Sequence, residues 1–181
     1  MDLSILIPSR NEMFVGRTVR NILRNIKGDT EVIVVLDGVP ADPPLPADPR
    51  VLEILLNKPI GQRAATNLAV RLSDAKYIMK CDAHCSFGPG FDVIMMADMQ
   101  DDWTMVPKMY NLHAFDWVCE CGWSRYQGPS APCEKCGKEM TRKMYWKAKP
   151  SPETTAMRFD QQLKFQYWSK YKKRQAGDLV D

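Results

Sequence analysis

A carboxylate and an imidazole stand two residues apart in Asp82-Ala83-His84, at the end of a short apolar run that begins at Tyr77. Alternate side chains of an extended strand point to the same side, so we expect Asp82 and His84 to project together. Such a pair can hold a divalent metal ion. The alternative is an aspartate that caps the following turn beside a surface histidine, and these residues alone favour neither interpretation.

Four cysteines make a second candidate site, in the pattern Cys119-x-Cys121 and Cys133-x-x-Cys136, with eleven residues between the pairs. Four thiolates at this spacing are typical of a structural zinc site of the zinc-ribbon type, which leaves no coordination position open for a substrate. The surrounding stretch is poor in aliphatic residues and is expected to need the metal in order to fold. Disulfide bonds are the alternative.

The remaining candidate ligands are expected to have other roles. Cys81 and Cys85 flank the Asp-x-His segment and are predicted to be buried or free thiols, because Mn²⁺ and Mg²⁺ prefer oxygen and imidazole ligands. His113 is one of only two histidines in the chain and is predicted to be structural.

Composition indicates a cytoplasmic globular protein. The chain has 181 residues, of which 45% are hydrophobic, enough for one domain with at most a small satellite. A net charge of +3 is too small to imply nucleic-acid binding. No apolar run approaches the ~20 residues of a membrane span, and the amino terminus does not have the pattern of a secretion signal. The basic residues near the cysteines are expected to form a solvated surface.

The hydrophobic pattern predicts a doubly wound, mainly parallel α/β sheet with a small zinc-ribbon insertion. Strands are predicted at residues 3–7, 31–36, 51–55 and 104–112, and a further strand is predicted to begin at Tyr77 and to end on Asp82-Ala83-His84. Helices are predicted at residues 12–26, 61–72 and 91–99. Pro8 is expected to stop the first strand, and the prolines between residues 40 and 49 predict a surface loop. Leu68 and Leu72 are expected to face inward from the second helix. Right-handed crossovers would place all strand ends on one rim.

The pattern changes after the fifth predicted strand. We therefore predict a first domain at residues 1–112, the zinc-ribbon insert at 113–148 and a further segment at 149–181. Aromatic residues return after Met157, and the basic cluster Lys170–Arg174 follows them. The last segment is interpreted as the start of a second half or as a C-terminal extension.

Four segments on the predicted rim resemble one enzyme family when they are taken in order. They are Ile5–Glu12, Val34–Gly38, Gly61–Asn67 and Asp82–Cys85. The set resembles the family 2 type of glycosyltransferases with the GT-A fold and covers residues 2 to about 92. The Asp-x-His-Cys segment is closer to the polypeptide N-acetylgalactosaminyltransferase branch than to the Asp-x-Asp of most relatives. Each segment is weak alone, and their order makes the resemblance specific.

The resemblance implies a role for each of these residues in binding a UDP-sugar. Asp37 would accept the uracil N–H, and Asp82 and His84 would hold Mn²⁺ or Mg²⁺ against the diphosphate as the catalytic pair. An imidazole ligand shifts the preference towards Mn²⁺. The other residues implied in nucleotide-sugar binding are Pro8, Ser9, Arg10 and Glu12 around the nucleoside, Gly61, Arg63 and Asn67 near the phosphates, and Ala83.

The acceptor-binding half of such enzymes is not recognisable in the sequence. We expect either a piece of a longer enzyme or a donor-binding module completed by another chain, with an unknown acceptor that is a glycan, a protein or another molecule. One alternative is a nucleotidyltransferase, although the segment after the first strand lacks the glycines of a phosphate loop. Another alternative is a non-catalytic zinc-ribbon module that binds nucleic acid or protein on an α/β platform.

Overall fold

The structure is a computed structural model that describes residues 1–107, 109–149 and 157–167. The chain divides into two compact units, Met1–Met105 and Val106–Asp181. The elements of the first unit are β1 (Leu3–Ser9), α1 (Val15–Asn25), β2 (Thr30–Leu36), β3 (Val51–Leu55), α2 (Gln62–Arg71), β4 (Tyr77–Lys80) and α3 (Phe91–Asp98). Those of the second are β5 (Leu112–Val118), β6 (Ser124–Tyr126), β7 (Thr141–Ala148), β8 (Met157–Phe159) and β9 (Phe165–Tyr167).

The first unit is built on a parallel four-stranded sheet in the order β3-β2-β1-β4. The chain adds β2 and β3 on one side of β1 and then returns to place β4 on the other side. This reversal creates a switch point at the carboxyl ends of β1 and β4, where ligands bind in open α/β sheets. The predicted doubly wound sheet is therefore present in this unit.

Helices cover both faces of this sheet, which explains the continuous apolar runs of β1 and β2. On one face, buried side chains of α1 that include Val19 and Ile22 pack against a layer that includes Ile5 and Val34. On the other face, Ala65 and Ala69 of α2 pack against Leu6, Ile33 and Val35. Burial of both layers from water supplies the driving force for this arrangement.

The prediction that Pro8 stops the first strand is wrong, because β1 continues through Pro8 to Ser9. Along a strand, the backbone N–H and C=O groups of one residue both point to the same neighbouring strand. Those of the next residue point to the strand on the other side. The Ser9 carbonyl accepts the Asp37 N–H from the β2 side, whereas the Leu6 carbonyl accepts the Cys81 N–H from the β4 side. Pro8 faces the same side as Leu6, beyond the end of β4, so its missing N–H costs no ladder bond.

Two details of the predicted helices also differ. The first helix begins three residues later than predicted, because Glu12 lies in a turn and its carboxylate accepts the Phe14 N–H at 3.1 Å. In α2 the inward positions are alanines; Leu68 is only partly buried, and Leu72 is exposed beyond the end of the helix. The third helix and the loop at residues 40–49 agree with the predictions.

The second unit contains an antiparallel sheet in the order β6-β5-β7. The prediction of a fifth parallel strand at residues 104–112 is wrong: the described residues between 99 and 111 form no strand, and β5 begins at Leu112. Phe115 and Trp117 are buried on one face of β5. The Arg142 guanidinium of β7 lies over both rings, 5.3 and 4.7 Å from their centroids.

The strands β8 and β9 pair as an antiparallel hairpin. The predicted basic cluster Lys170–Arg174 lies outside the described residues. The division at Met105 falls before the predicted boundary at residue 112, and the three-part division stays a prediction. In the described part of the chain, no helix combines the length and hydropathy that a membrane span requires.

Candidate functional site

A cleft of about 270 Å³ lies at the carboxyl edge of the parallel sheet. It is formed where β1 and β2 end and α2 begins. Its lining residues are Pro8, Ser9, Arg10, Asp37, Gly61 and Gln62. All except Gln62 were predicted to bind a nucleotide-sugar. Sequence reasoning assigned no role to Gln62, although its place as the first residue of α2 was the signal that could have suggested one.

Asp37 fixes one wall of this cleft. The residue is buried, and its Oδ1 accepts the Ile60 N–H at 2.6 Å while Oδ2 accepts the Gly61 N–H at 3.0 Å. The end of β2 therefore holds the loop that leads into α2. An ionised carboxylate has about four acceptor positions, so Asp37 can accept a further hydrogen bond from a ligand.

The start of α2 offers a site for an anion. The helix has no acidic residue in its first turn, and its unpaired backbone N–H groups carry the positive end of the helix dipole. Gly61 precedes it with φ +89° and ψ 156°, a backbone conformation that is essentially restricted to glycine. Arg63 and Asn67 are exposed on α2 and do not line the cleft.

The Asp-x-His segment lies in a turn just past the end of β4. Cys81 and Ala83 are buried, whereas Asp82 and His84 are exposed, so burial alternates as it would in a strand. Cys85 is half-buried, and both cysteines are free thiols. The two candidate metal ligands thus face solvent at the switch point of the sheet.

Asp82 and His84 each contact another side chain. Lys80 donates a hydrogen bond to Asp82 Oδ1 in an exposed ion pair. His84 Nδ1 lies 3.2 Å from Glu12 Oε2. The hydrogen bond to Glu12 raises the pKa of His84, and the same bond lowers the pKa of Glu12. Glu12, predicted to border the nucleoside, is placed by the structure on the histidine and not in the cleft lining.

Thr18 of α1 fixes the backbone of this turn and was missed by sequence reasoning. It is fully buried, and its hydroxyl donates to the Ala83 carbonyl at 2.9 Å and accepts the Cys85 N–H at 3.0 Å. A second residue of α1, Asn21, accepts the Phe87 N–H at 2.7 Å. No local sequence signal indicates these contacts, because their partners are more than 60 positions apart.

The second unit contains a candidate metal centre. The Sγ atoms of Cys119, Cys121, Cys133 and Cys136 all lie within 4.8 Å of one another. The pairs Cys119–Cys136 and Cys121–Cys133 are 3.5 and 3.6 Å apart, close to the ~3.8 Å edge of a tetrahedron with Zn–S bonds of 2.3 Å. In residues 1–107, 109–149 and 157–167, no other group of three or more potential ligands comes this close. The cluster fits a small zinc site.

The backbone around the cysteines forms two similar knuckles. The Gly122 N–H donates to the Cys119 carbonyl at 3.0 Å, and the Gly137 N–H donates to the Cys133 carbonyl at 2.8 Å. Both glycines have positive φ, +82° and +72°, which explains why a glycine follows each pair of cysteines. The knuckles lie at the end of β5 and just before β7.

Several basic residues of the second unit contact neighbouring side chains. Lys143 and Lys147 lie over the Tyr145 ring, 5.7 and 5.5 Å from its centroid. His113 stacks on the same ring and its Nε2 lies 2.8 Å from Asp116 Oδ1, in agreement with a structural role. This surface is basic, and its rings Tyr126 and Tyr145 remain partly exposed.

Comparison with known proteins then identifies the family. Residues 4–112 match glycosyl transferase family 2, a range that includes the cleft and the Asp-x-His turn. The chain belongs to glycosyl transferase family 2. The α/β fold of GT-A type, as predicted from the sequence, is thereby confirmed.

Among solved structures, the chain is similar to S. aureus TarS. A crystal structure of TarS 1-349 has 15% sequence identity and a TM-score of 0.45, and the match covers 63% of this chain and 41% of that one. A second TarS structure has 15% identity and a TM-score of 0.44, with coverage of 63% and 25%. The chain therefore spans less than half the length of these TarS structures. No curated protein matches it.

Proposed function

We propose that the chain is the donor-binding part of a metal-dependent glycosyltransferase that uses a UDP-sugar. The observation that carries this proposal is the cleft at the ends of β1 and β2, which closes on the amino terminus of α2. Its volume of about 270 Å³ is close to the lower end of the ~300–1,000 Å³ of small-molecule sites. The cleft thus has room for part of a nucleotide-sugar, with the rest exposed.

The base would lie against Asp37, whose carboxylate has acceptor capacity left for the uracil N–H. Pro8, Ser9 and Arg10 would border the nucleoside from the end of β1. The diphosphate would lie at the start of α2, because backbone N–H groups and the helix dipole favour negative charge there. Gly61 leaves the approach open, since no atom lies within 4 Å of the position that a Cβ would occupy.

Asp82 and His84 would hold the divalent cation. They supply one carboxylate and one imidazole, so the diphosphate and water must provide the remaining ligands. The cation offsets the charge that builds up on the diphosphate as it leaves the sugar, and the imidazole ligand favours Mn²⁺ over Mg²⁺. Lys80 bonds one carboxylate oxygen of Asp82, Oδ1, so the cation can bind through Oδ2. Both side chains of that ion pair are exposed, so a rearrangement of the lysine costs little.

The four cysteines would bind a structural zinc ion as a zinc-ribbon insert. Four protein ligands fill a tetrahedral site, so this ion would organise the β5–β7 sheet and take no part in sugar transfer.

Free thiols fit a reducing compartment, which supports the cytoplasm as the location. The Asp-x-His-Cys segment supports a place near the polypeptide N-acetylgalactosaminyltransferase branch. The acceptor can be a glycan, a protein or another molecule.

Calorimetric titration of the whole chain with UDP, with and without Mn²⁺, tests this function. We expect UDP to bind more tightly with Mn²⁺ and expect the gain to disappear in Asp82→Asn. Asp74→Asn, an exposed aspartate before β4, is the matched control and should behave like the wild type. Failure to bind UDP under either condition would overturn the proposal. Salt-sensitive oligonucleotide binding in its place would favour the non-catalytic alternative, which the basic surface of the second unit supports.

A further inference from the structure

The contact between Glu12 and His84 joins the segment before α1 to the Asp-x-His turn. The two carboxylate oxygens of Glu12 have separate partners: Oε1 accepts the Phe14 N–H at 3.1 Å, and Oε2 lies 3.2 Å from His84 Nδ1. The Glu12 side chain is 27% exposed and that of His84 is 57% exposed. One oxygen therefore fixes the turn before α1, and the other contacts the histidine.

Three hydrogen bonds fix the backbone and the ring of His84. Thr18 fixes the backbone on either side of it through the Ala83 carbonyl and the Cys85 N–H. The ring is then held through Nδ1 by Glu12, itself fixed by its bond to the Phe14 N–H. The position and the rotation of the imidazole therefore both depend on α1 and the turn that precedes it.

The chemistry of this contact decides which ring nitrogen carries the proton. An ionised carboxylate only accepts hydrogen bonds, so Nδ1 must donate and must carry a hydrogen. In the neutral imidazole the lone pair then lies on Nε2. A metal ion needs that lone pair, and metal-binding histidines usually donate their other N–H to a carboxylate or carbonyl group.

We propose that Glu12 is a positioning residue that holds the His84 ring with its proton on Nδ1 and presents Nε2 to the divalent cation of the donor site. This inference rests on the proposed function of the cleft and adds a residue to it. It also gives Glu12 a role different from the nucleoside contact expected from the sequence.

Two measurements on the whole chain test the inference. The first is an NMR spectrum of ¹⁵N-histidine-labelled protein without metal, with the His84 signals assigned by their loss in His84→Ala. At a pH where the ring is neutral, the wild type should carry its proton on Nδ1. Glu12→Ala should shift the proton to Nε2, the form that the histidine side chain favours when it is free in water. Glu12→Gln retains an acceptor oxygen and should keep the Nδ1–H form.

The second measurement is the affinity for Mn²⁺ in the presence of UDP. Glu12→Ala should weaken it about 10- to 100-fold, as loss of a carboxylate behind a metal-binding histidine does. Glu53→Ala, an exposed glutamate of β3, is the control and should leave it unchanged. Absence of Mn²⁺ binding by the wild type would overturn the metal-dependent function together with this inference. Normal wild-type binding that Glu12→Ala does not weaken would overturn this inference alone, as would a wild-type proton on Nε2.

Discussion

Asp37 Oδ2 accepts the Gly61 N–H at 3.0 Å, so the end of β2 fixes the start of α2. The Asp37 residue is buried, and its other carboxylate oxygen accepts the Ile60 N–H at 2.6 Å. One side chain thus shapes the wall of the cleft and faces the proposed base. This double use makes Asp37 the residue whose replacement should affect both folding and ligand binding.

Asp37→Asn is expected to lower the free energy of unfolding by about 1–3 kcal/mol, because an amide cannot accept on both sides and one of the two hydrogen bonds from Ile60 and Gly61 to this buried side chain is lost. UDP binding should also be lost. Urea unfolding and calorimetry measure the two effects. Asp74→Asn is the control for both, and an unchanged stability of Asp37→Asn would show that the two hydrogen bonds do not hold the loop.

Gly61→Ala is expected to lower the free energy of unfolding by about 1–3 kcal/mol, because φ +89° is strained for any residue with a Cβ. No steric clash contributes, since the space around the Cβ position is open. Gly88→Ala has equally open surroundings without a positive φ, so it should be nearly neutral. Equal losses in thermal or urea unfolding of the two variants would contradict the strain argument.

Thr18→Val keeps the shape of the side chain but removes both hydrogen bonds to the Asp-x-His turn. We expect a loss of about 1–3 kcal/mol for the unpaired Ala83 carbonyl and Cys85 N–H, together with weaker Mn²⁺-dependent UDP binding. The matched control is Thr66→Val in α2, whose hydroxyl bonds only the exposed Gln62 carbonyl. The Thr18 variant should lose clearly more in both measurements, and equal losses would contradict a role of its two hydrogen bonds in holding the turn.

The Glu12–His84 pair is expected to make stability depend on pH in the metal-free protein. The His84 pKa is raised above its ordinary 6.5, so its contribution is complete below pH 6.5 and is lost as pH rises through the folded-state value. The Glu12 pKa is lowered below 4.5, so its contribution is complete above pH 4.5 and is lost as pH falls through the folded-state value. The pair therefore stabilises most between pH 4.5 and 6.5. NMR titration should show the His84 pKa fall towards 6.5 in Glu12→Gln, and no change would contradict the contact.

Removal of the four-cysteine site should unfold the second unit. Cys133→Ser is expected to abolish binding of one zinc ion and to disorder the sheet that buries Trp117, because this small unit depends on the metal. Elemental analysis and tryptophan fluorescence measure the two effects. Cys85→Ser, which removes a free thiol outside the cluster, should retain the zinc. Zinc-free wild-type protein with an intact sheet would contradict this prediction.

The sequence predicts the first unit well because its signals are local. The apolar runs of β1 and β2 reflect burial on both faces, and the first three of the four rim segments contain the residues that line the cleft. The spacing of the cysteines likewise predicts the cluster that the structure brings together. In each case the information lies within a few neighbouring residues.

The errors come from contacts between distant segments. Pro8 stays in β1 only because β4 is short, a fact that the residues around Pro8 do not contain. The apolar residues after Thr104 suggest a strand, whereas the strand that forms begins at Leu112, where β7 supplies an antiparallel partner. The Glu12–His84 contact depends on the turn before α1 and on the clamp by Thr18. Neither the turn nor the contacts of Thr18 can be recognised from neighbouring residues in the sequence.

The most direct test of the donor site is the mapping of UDP binding by amide chemical shifts in ¹H–¹⁵N NMR spectra with saturating Mg²⁺, which avoids the broadening caused by Mn²⁺. The largest shifts should fall on Ser9, Arg10, Gly61 and Gln62, with further changes at His84. Shifts confined to residues 112–149, or an unchanged spectrum at millimolar UDP, would contradict the assignment of the cleft as the nucleotide-sugar site.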